Sequence, residues 1–556
     1  MTSSPGGIEM AGASSLPGRI AFAACVAGNW DLYSVAADGS DLRRLTLDPA
    51  DDLDPAFSPD GARLAFTSRR DGYWNLYVLD LSSGELAQLT DHSHYDGAPA
   101  WSPDGRQIVF ESFRAGDLDI WLVQADGGQP VNLTPDSPAG DAGPVWSPDG
   151  RAIAFTSWRT GDRDIFLLDV ATLAVTQFTS SPDTEERPAW SPDGSRLAYV
   201  AEPGYTREVY AADVTHPPAA EGGQTRLTWL ARDDAFAWAP EGPTFAAVWR
   251  RPDGDHLLVH TPQATGELPR SLVGPAMLGE RISWAGSAPA WGEPLAALGA
   301  PDIPFTEPLL HPDPPFERVE LPGVETGLAK LSDTVDGSFN TLRGRVLADS
   351  GHDFLGRLSE ALRPLDFYSD ASAYASWHKA GRAFDTLLDY FDRRGPLLEI
   401  ARENIGGDTY WRLFLRAARQ DGSQGRPLTI SPWDHSYEGR EVRGAGQGGA
   451  PEPMPAAYYV DLTTLLLLHG WQRIAAHDDP QFHWHQAFKA MEYWHFQKTD
   501  GLGWYEAMLQ VWDAGTIADW FGWQAMTEKE TVMPWMVAAK GVPLPAAEGH
   551  LRRLRP

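Results

Sequence analysis

The sequence predicts a molecule in two parts, an all-β propeller of six blades followed by an α+β domain. Three observations carry this reading. A heptapeptide of the form Pro-x-(Phe/Trp)-Ser-Pro-Asp-Gly recurs at 55–61, 99–105, 144–150 and 188–194, its serines 44, 45 and 44 residues apart. Short segments of alternating apolar residues follow each copy, and a fixed period near 45 with three or four strands per unit is the pattern of a propeller. Beyond a proline-dense stretch at 299–323 the repeat stops and the apolar spacing changes. A chain of 556 residues has ample length for more than one core.

Residues 1–17, rich in Ser, Gly and Ala, read as a disordered leader. The propeller is expected over 18–298. Its first segment, 19–46, matches the later strands of a repeat but lacks the leading aromatic strand. In the four full copies, "RLAFTS", "QIVFES", "AIAFTS" and "RLAYVA" form one strand. "WNLYVLD", "LDIWLVQ", "RDIFLLD" and "REVYAAD" form the next, and a third ends in Leu-Thr or Phe-Thr. Ser-Pro-Asp-Gly supplies a tight turn, with Pro fixing φ, Asp capping and Gly accepting the unusual dihedral. The repeated Asp residues serve this turn chemistry; a cation held in the channel is the competing reading. Trp238 and Trp284 continue the phase of Phe57, Trp101, Trp146 and Trp190. The segment around Trp284 can therefore supply the strand that 19–46 lacks, closing a ring of six without an exposed edge.

The stretch 299–323 reads as an extended linker. Residues 324–556 are expected to form the α+β domain. Within it, 325–362 and 386–404 carry apolar residues at helical spacing, 410–418 alternates like a strand, and "QDGSQG" (420–425) suits a hairpin turn. The stretch 437–455 reads as a mobile loop and 405–460 as an insertion.

A formal net charge of −31 sets the molecule against phosphate backbones and anionic bilayers, which excludes nucleic acid as an expected partner. No stretch is apolar for long enough to predict an integral membrane segment. The single cysteine, Cys25, rules out an intramolecular disulfide and reads as a small buried hydrophobe. No Lys or Arg occurs before residue 19, so no conventional signal peptide is visible.

The propeller repeat resembles that of the TolB-type propellers. The resemblance implies a platform for a protein partner or a recognition and gating domain. No Gly-x-Ser-x-Gly elbow with a catalytic triad follows it, which sets the chain apart from prolyl-oligopeptidase-like pairings.

In the second half, "ASWHKAGRAFD" (375–385) spells Ser376-x-His378-x-x-Gly381-x-Ala383-x-Asp385, and "MEYWHF" (491–496) gives Glu492-x-x-His495. Together these resemble the two motifs of the zinc D-Ala-D-Ala carboxypeptidase/dipeptidase family, which shares its fold with hedgehog-type proteins. Tyr493 stands where the family usually has Trp. The resemblance implies a Zn2+ ion on His378, Asp385 and His495, with Glu492 as general base. It also implies an arginine that holds the substrate's carbonyl or carboxylate, for which Arg363 is the candidate; capping the end of a helix before Pro364 is its alternative role. Ser376, Tyr493 and Trp494 would line the substrate. The residue types suit the task. Two imidazoles and a carboxylate leave a fourth zinc position for water, and a nearby carboxylate can take that water's proton. Gly381 and Ala383, being small, would let backbone and substrate approach the metal.

Other residues compete. His483 and His485 could share a strand face as a metal pair, or pack among aromatics. His469 and His477 have no partner at a recognised spacing, and His92 and His94 are expected to point into solvent. The aromatic richness of 484–523 reads first as core and second as a peptide-binding wall.

Two functions follow as expectations. The first is a zinc metallopeptidase acting on short peptides or peptidoglycan stem-peptide cross-links, guided or tethered by the propeller. The second is a non-catalytic, zinc-stabilised recognition protein whose propeller docks a protein partner. Both resemblances imply an extracytoplasmic or cell-envelope location.

Overall fold

The computed structural model describes residues 17–286 and 316–521, apart from 27–28, 182, 203–206, 219–222, 229–232, 251–254, 262–268, 277, 367–375, 388–390, 393–394, 406–407, 435–449, 477–490 and 501. The leader (1–16), most of the linker (299–315), the loop at 437–449 and His477, His483 and His485 lie outside the described residues. The chain divides into two compact units, Met1–Asp302 and Ile303–Pro556.

The first unit holds six antiparallel sheets of four strands among the described residues. Five are consecutive in sequence. The sixth places Leu278–Ala285 beside Arg19–Val26, with Ile20 opposite Trp284 and Phe22 opposite Ile282, so the ends of the propeller sequence share one blade. The Ser-Pro-Asp-Gly turns follow from side-chain chemistry. Ser58 Oγ donates to Asp60 Oδ1 at 2.5 Å and accepts from the Arg63 N–H at 2.9 Å, while Gly61 takes φ 71°. Ser102, Ser147 and Ser191 repeat the arrangement. The threonine ending each third strand accepts from the strand before it, as Thr90 does from the Leu76 N–H at 3.0 Å. Trp101 and Trp238 tie blades together by donating to Ala56 and Ala189 carbonyls of neighbouring blades. Cys25 is half-buried in the first strand rather than fully enclosed. His92 and His94 are also half-buried, their rings 4.9 Å apart, instead of pointing freely into solvent.

In the second unit one long helix, Asp336–Ser350, packs Phe339, Leu342 and Val346 into a core with Phe384, Phe496 and Trp471. Helical spacing over-reads its surroundings. Lys330–Ser332, Leu358–Glu360 and Leu398–Ile405 are strands. The last pairs with Asp408–Arg416, from Leu398 opposite Leu415 to Ile405 opposite Asp408. Gly406-Gly407, the two residues between, is the hairpin signal that outweighs helical periodicity. The turn at 420–425 does not close a hairpin of its own, because the strands on either side both pair with Tyr458–Asp461. Among the described residues no helix is long and apolar enough to cross a membrane.

Candidate metal centre

The site is built on a four-stranded sheet in the order Leu358–Glu360, Ala383–Thr386, His495–Gln497, Gln472–Arg473. Alternation along the second and third strands sends Phe384 and Phe496, directly opposite each other, into the core. The next pair in register, Asp385 and His495, therefore shares the other face. Antiparallel register thus joins residues 110 positions apart.

His378 arrives from a single 3-10 turn, Trp377–Ala380. Ser376 caps it, accepting from the His378 N–H at 3.3 Å, and Gly381 ends it at φ 64°. A Cβ on Gly381 would stand 2.8 Å from the Ser332 nitrogen. The glycine thus serves the backbone turn and its packing, and Ala383 is fully buried; neither provides the access to the metal expected from their size. Helix Trp504–Val511 braces the turn, with Trp504 Nε1 donating to the Ser376 carbonyl at 3.1 Å.

His378 Nε2, Asp385 Oδ1 and His495 Nδ1 converge. Asp385 Oδ1 lies 3.1 Å from His378 Nε2 and 2.8 Å from His495 Nδ1, and the two nitrogens are 3.3 Å apart. Ligands about 2.0–2.1 Å from a tetrahedral zinc stand in just such a triangle. Of the described residues, these three alone form a group of His, Cys, Asp and Glu able to hold an ion. The tautomers suit the purpose. His378 Nδ1 faces the Ala361 carbonyl at 2.6 Å, and since a carbonyl only accepts, the proton sits there and the Nε2 lone pair faces the site. His495 Nε2 similarly faces Gln497 Oε1 at 3.4 Å, leaving Nδ1 for the site. Burial would push the Asp385 carboxyl up, but the two imidazoles outweigh it and hold the group well below the usual carboxylate range. The donor set, its spacing and its tautomers fit a zinc ion.

The remaining expected residues fall differently. Glu492 is half-buried at φ 55°, in the left-handed region, and its carbonyl accepts the His495 N–H at 3.2 Å. Arg363 is 9 % exposed, with Nη1 donating to Ser376 Oγ at 3.1 Å and Nη2 lying 2.6 Å from Glu360 Oε2 and 3.6 Å from Asp385 Oδ2. Ser376 is buried as the cap of the His378 turn. Tyr493 and Trp494, expected against substrate, are 6 % and 9 % exposed and belong to the domain core. Their flanking position beside His495 suggested a wall, but the turn Glu492–Trp494 folds them inward. His469 is half-buried, with Nδ1 on the Leu465 carbonyl at 2.8 Å. Sequence reasoning passed over Ala361 and Glu360, and no motif marks them: one contributes only a carbonyl, the other acts only through Arg363.

Comparison with known proteins bears on the first unit. The model of the "TolB beta propeller domain" matches residues 55–140 and 75–288. No curated protein matches the chain. Among solved structures, TolB from Acinetobacter baumannii is similar at 23% identity and a TM-score of 0.44, covering 49% of this chain and 67% of that one. A putative TolB from Agrobacterium tumefaciens is similar at 19% identity and a TM-score of 0.37, covering 49% and 99%. A puromycin-hydrolyzing peptidase from Mycobacterium tuberculosis is similar at 14% identity and a TM-score of 0.35, covering 46% and 44%. With six four-stranded antiparallel sheets and a matching family model, the N-terminal unit is a TolB-like β-propeller.

Proposed function

We propose that the second unit is a zinc-dependent peptide hydrolase acting on short peptides or peptidoglycan cross-links, with the propeller serving as its recognition or tethering domain. The observation that supports this reading is the triangle of His378 Nε2, Asp385 Oδ1 and His495 Nδ1, with both imidazoles turned so that a lone pair faces the centre. Bound there, zinc would lower the pKa of a water and polarise a peptide carbonyl. The chain's own groups do the rest. Ala361 and Gln497 fix the two rings, the Ser376-capped turn sets the height of His378, and Glu492, three residues before His495, is the carboxylate to take a proton from water and pass it to the leaving amine.

The test is metal content by mass spectrometry for the wild type, His378→Ala and His495→Ala, beside cleavage of a D-Ala-terminated muropeptide by the wild type and Glu492→Ala. One zinc per chain, lost from both histidine variants, with cleavage lost from Glu492→Ala while its zinc remains, is expected. Zinc without cleavage of this or other short peptides would turn the reading into one of recognition; no zinc after remetallation would end it.

A further inference from the structure

Register places three acidic or ligating residues in one row across three strands: Glu360 opposite Asp385, and Asp385 opposite His495. Two carboxylates directly opposite each other repel. Asp385 could also present both of its oxygens to a cation. One side chain addresses both problems. Arg363 Nη2 lies 2.6 Å from Glu360 Oε2 and 3.6 Å from Asp385 Oδ2, on the oxygen of Asp385 that the histidines do not face. Its other terminal nitrogen donates to Ser376 Oγ at 3.1 Å, and its backbone N–H donates to the His378 carbonyl at 3.3 Å. The guanidinium is thereby fastened to the same turn that carries His378.

From this geometry we infer that Arg363, steered by Glu360, is a positioning residue: it occupies the outer oxygen of Asp385 so that Asp385 meets the metal through Oδ1 alone. This differs from the substrate-holding role that the family resemblance implies for Arg363, and it brings in Glu360, which no motif marks. A fixed fork of donors suits the task, since one planar group must satisfy Glu360, Asp385 and Ser376 at once. With Asp385 held to one oxygen, the centre keeps three protein ligands and an open position, the arrangement of a catalytic rather than a structural zinc site. The inference rests on the reading of His378, Asp385 and His495 as a metal centre.

The test is Co2+ titration of the metal-free full-length chain, following affinity and the visible d–d bands, whose position and intensity report coordination number. The variants are Glu360→Gln, Arg363→Met and Arg363→Lys, with His378→Ala as the control. Glu360→Gln and Arg363→Met are expected to bind Co2+ about 10–100-fold more weakly, the range for loss of a group that orients a ligand. Their bands should shift as Asp385 is freed to use both oxygens, while Arg363→Lys, which restores charge without the fork, lies between. Wild-type affinity and bands in both Glu360→Gln and Arg363→Met would overturn the inference while leaving the centre intact. Equal Co2+ binding by the wild type and His378→Ala would overturn the centre itself. Should Arg363→Met fail to fold by circular dichroism, the half-exposed Glu360→Gln substitution decides the matter alone.

Discussion

Glu492 holds a backbone conformation that its side chain does not favour. At φ 55° a residue other than glycine costs roughly 1–3 kcal/mol and persists where its surroundings impose it. Here the turn between Glu492 and His495, closed by a 3.2 Å bond from the His495 N–H, imposes it, and the same turn sets the angle at which His495 enters its strand. The chain keeps a carboxylate where glycine would be easier. A pair of variants separates the two aspects. Glu492→Gly should retain zinc and melt no lower than the wild type, because glycine adopts this φ freely. Glu492→Gln should melt like the wild type. Both should lose turnover by about 10²–10⁴-fold, the usual contribution of a general base. Melting, zinc content and muropeptide cleavage measured side by side check this; wild-type turnover in Glu492→Gln would remove the base role.

At the level of the blade, repetition makes the exception visible. Asp52, Asp96 and Asp141 are buried at one repeat position, each paired with an arginine, respectively Arg70, Arg114 and Arg159. In the next copy the acid becomes Glu185, and the arginine position is Pro203. Glu185 is 1 % exposed and faces Asp164, itself buried, with Ser181 donating to one of its oxygens. Burial, and then the neighbouring Asp164 carboxyl, push Glu185 up to about 8. The folded chain therefore keeps a proton that the unfolded chain, with an ordinary glutamate near 4.3, has released. Its contribution is complete below about pH 4.3 and is lost as pH rises towards 8. Glu185→Gln, which keeps shape and hydrogen bonding without ionising, should flatten the fall in melting temperature over this window. Above pH 8 it should melt higher than the wild type, by about 2–4 °C for each kcal/mol regained. Parallel slopes for the two proteins would show that the pair does not hold the proton.

At the scale of the molecule, the propeller closes by lending its first sheet a strand from each end of its sequence. Ile20 and Phe22 lie opposite Trp284 and Ile282, and all four pack in or against one core with Val248 and Leu257 from the preceding blade. If this ring closure protects the sheet edges, a chain shortened through Val26 and an Ile282→Pro variant should both self-associate, since each leaves unpaired edge groups that template further strands. Light scattering at increasing concentration checks it, and a monomeric Ile282→Pro chain would show that closure by this strand is dispensable.

The propeller was legible because its information is local and repeated. Each Ser-Pro-Asp-Gly turn writes its own hydrogen bonds within a few residues, and the period counts the blades; even the shared closing blade followed from the phase of Trp284. His378 and Asp385 were legible for the same reason, seven residues apart in one motif. Elsewhere, sequence left the outcome to tertiary pairing. Residues 398–405 satisfy a helical period as well as a strand, and the hairpin with 408–416 decides for the strand. Tyr493 and Trp494 carry no mark of direction, and the turn at Glu492 sends them into the core. Which oxygen of Asp385 faces the histidines and which faces Arg363, and that the Ala361 carbonyl fixes the His378 tautomer, depend on strands brought into register from distant parts of the chain. Residue types alone determined that this chain could carry two imidazoles and a carboxylate suited to zinc. Only the antiparallel pairing of 383–386 with 495–497 set Asp385 and His495 side by side, because contact between residues so far apart in sequence is a property of the folded sheet and of no local segment.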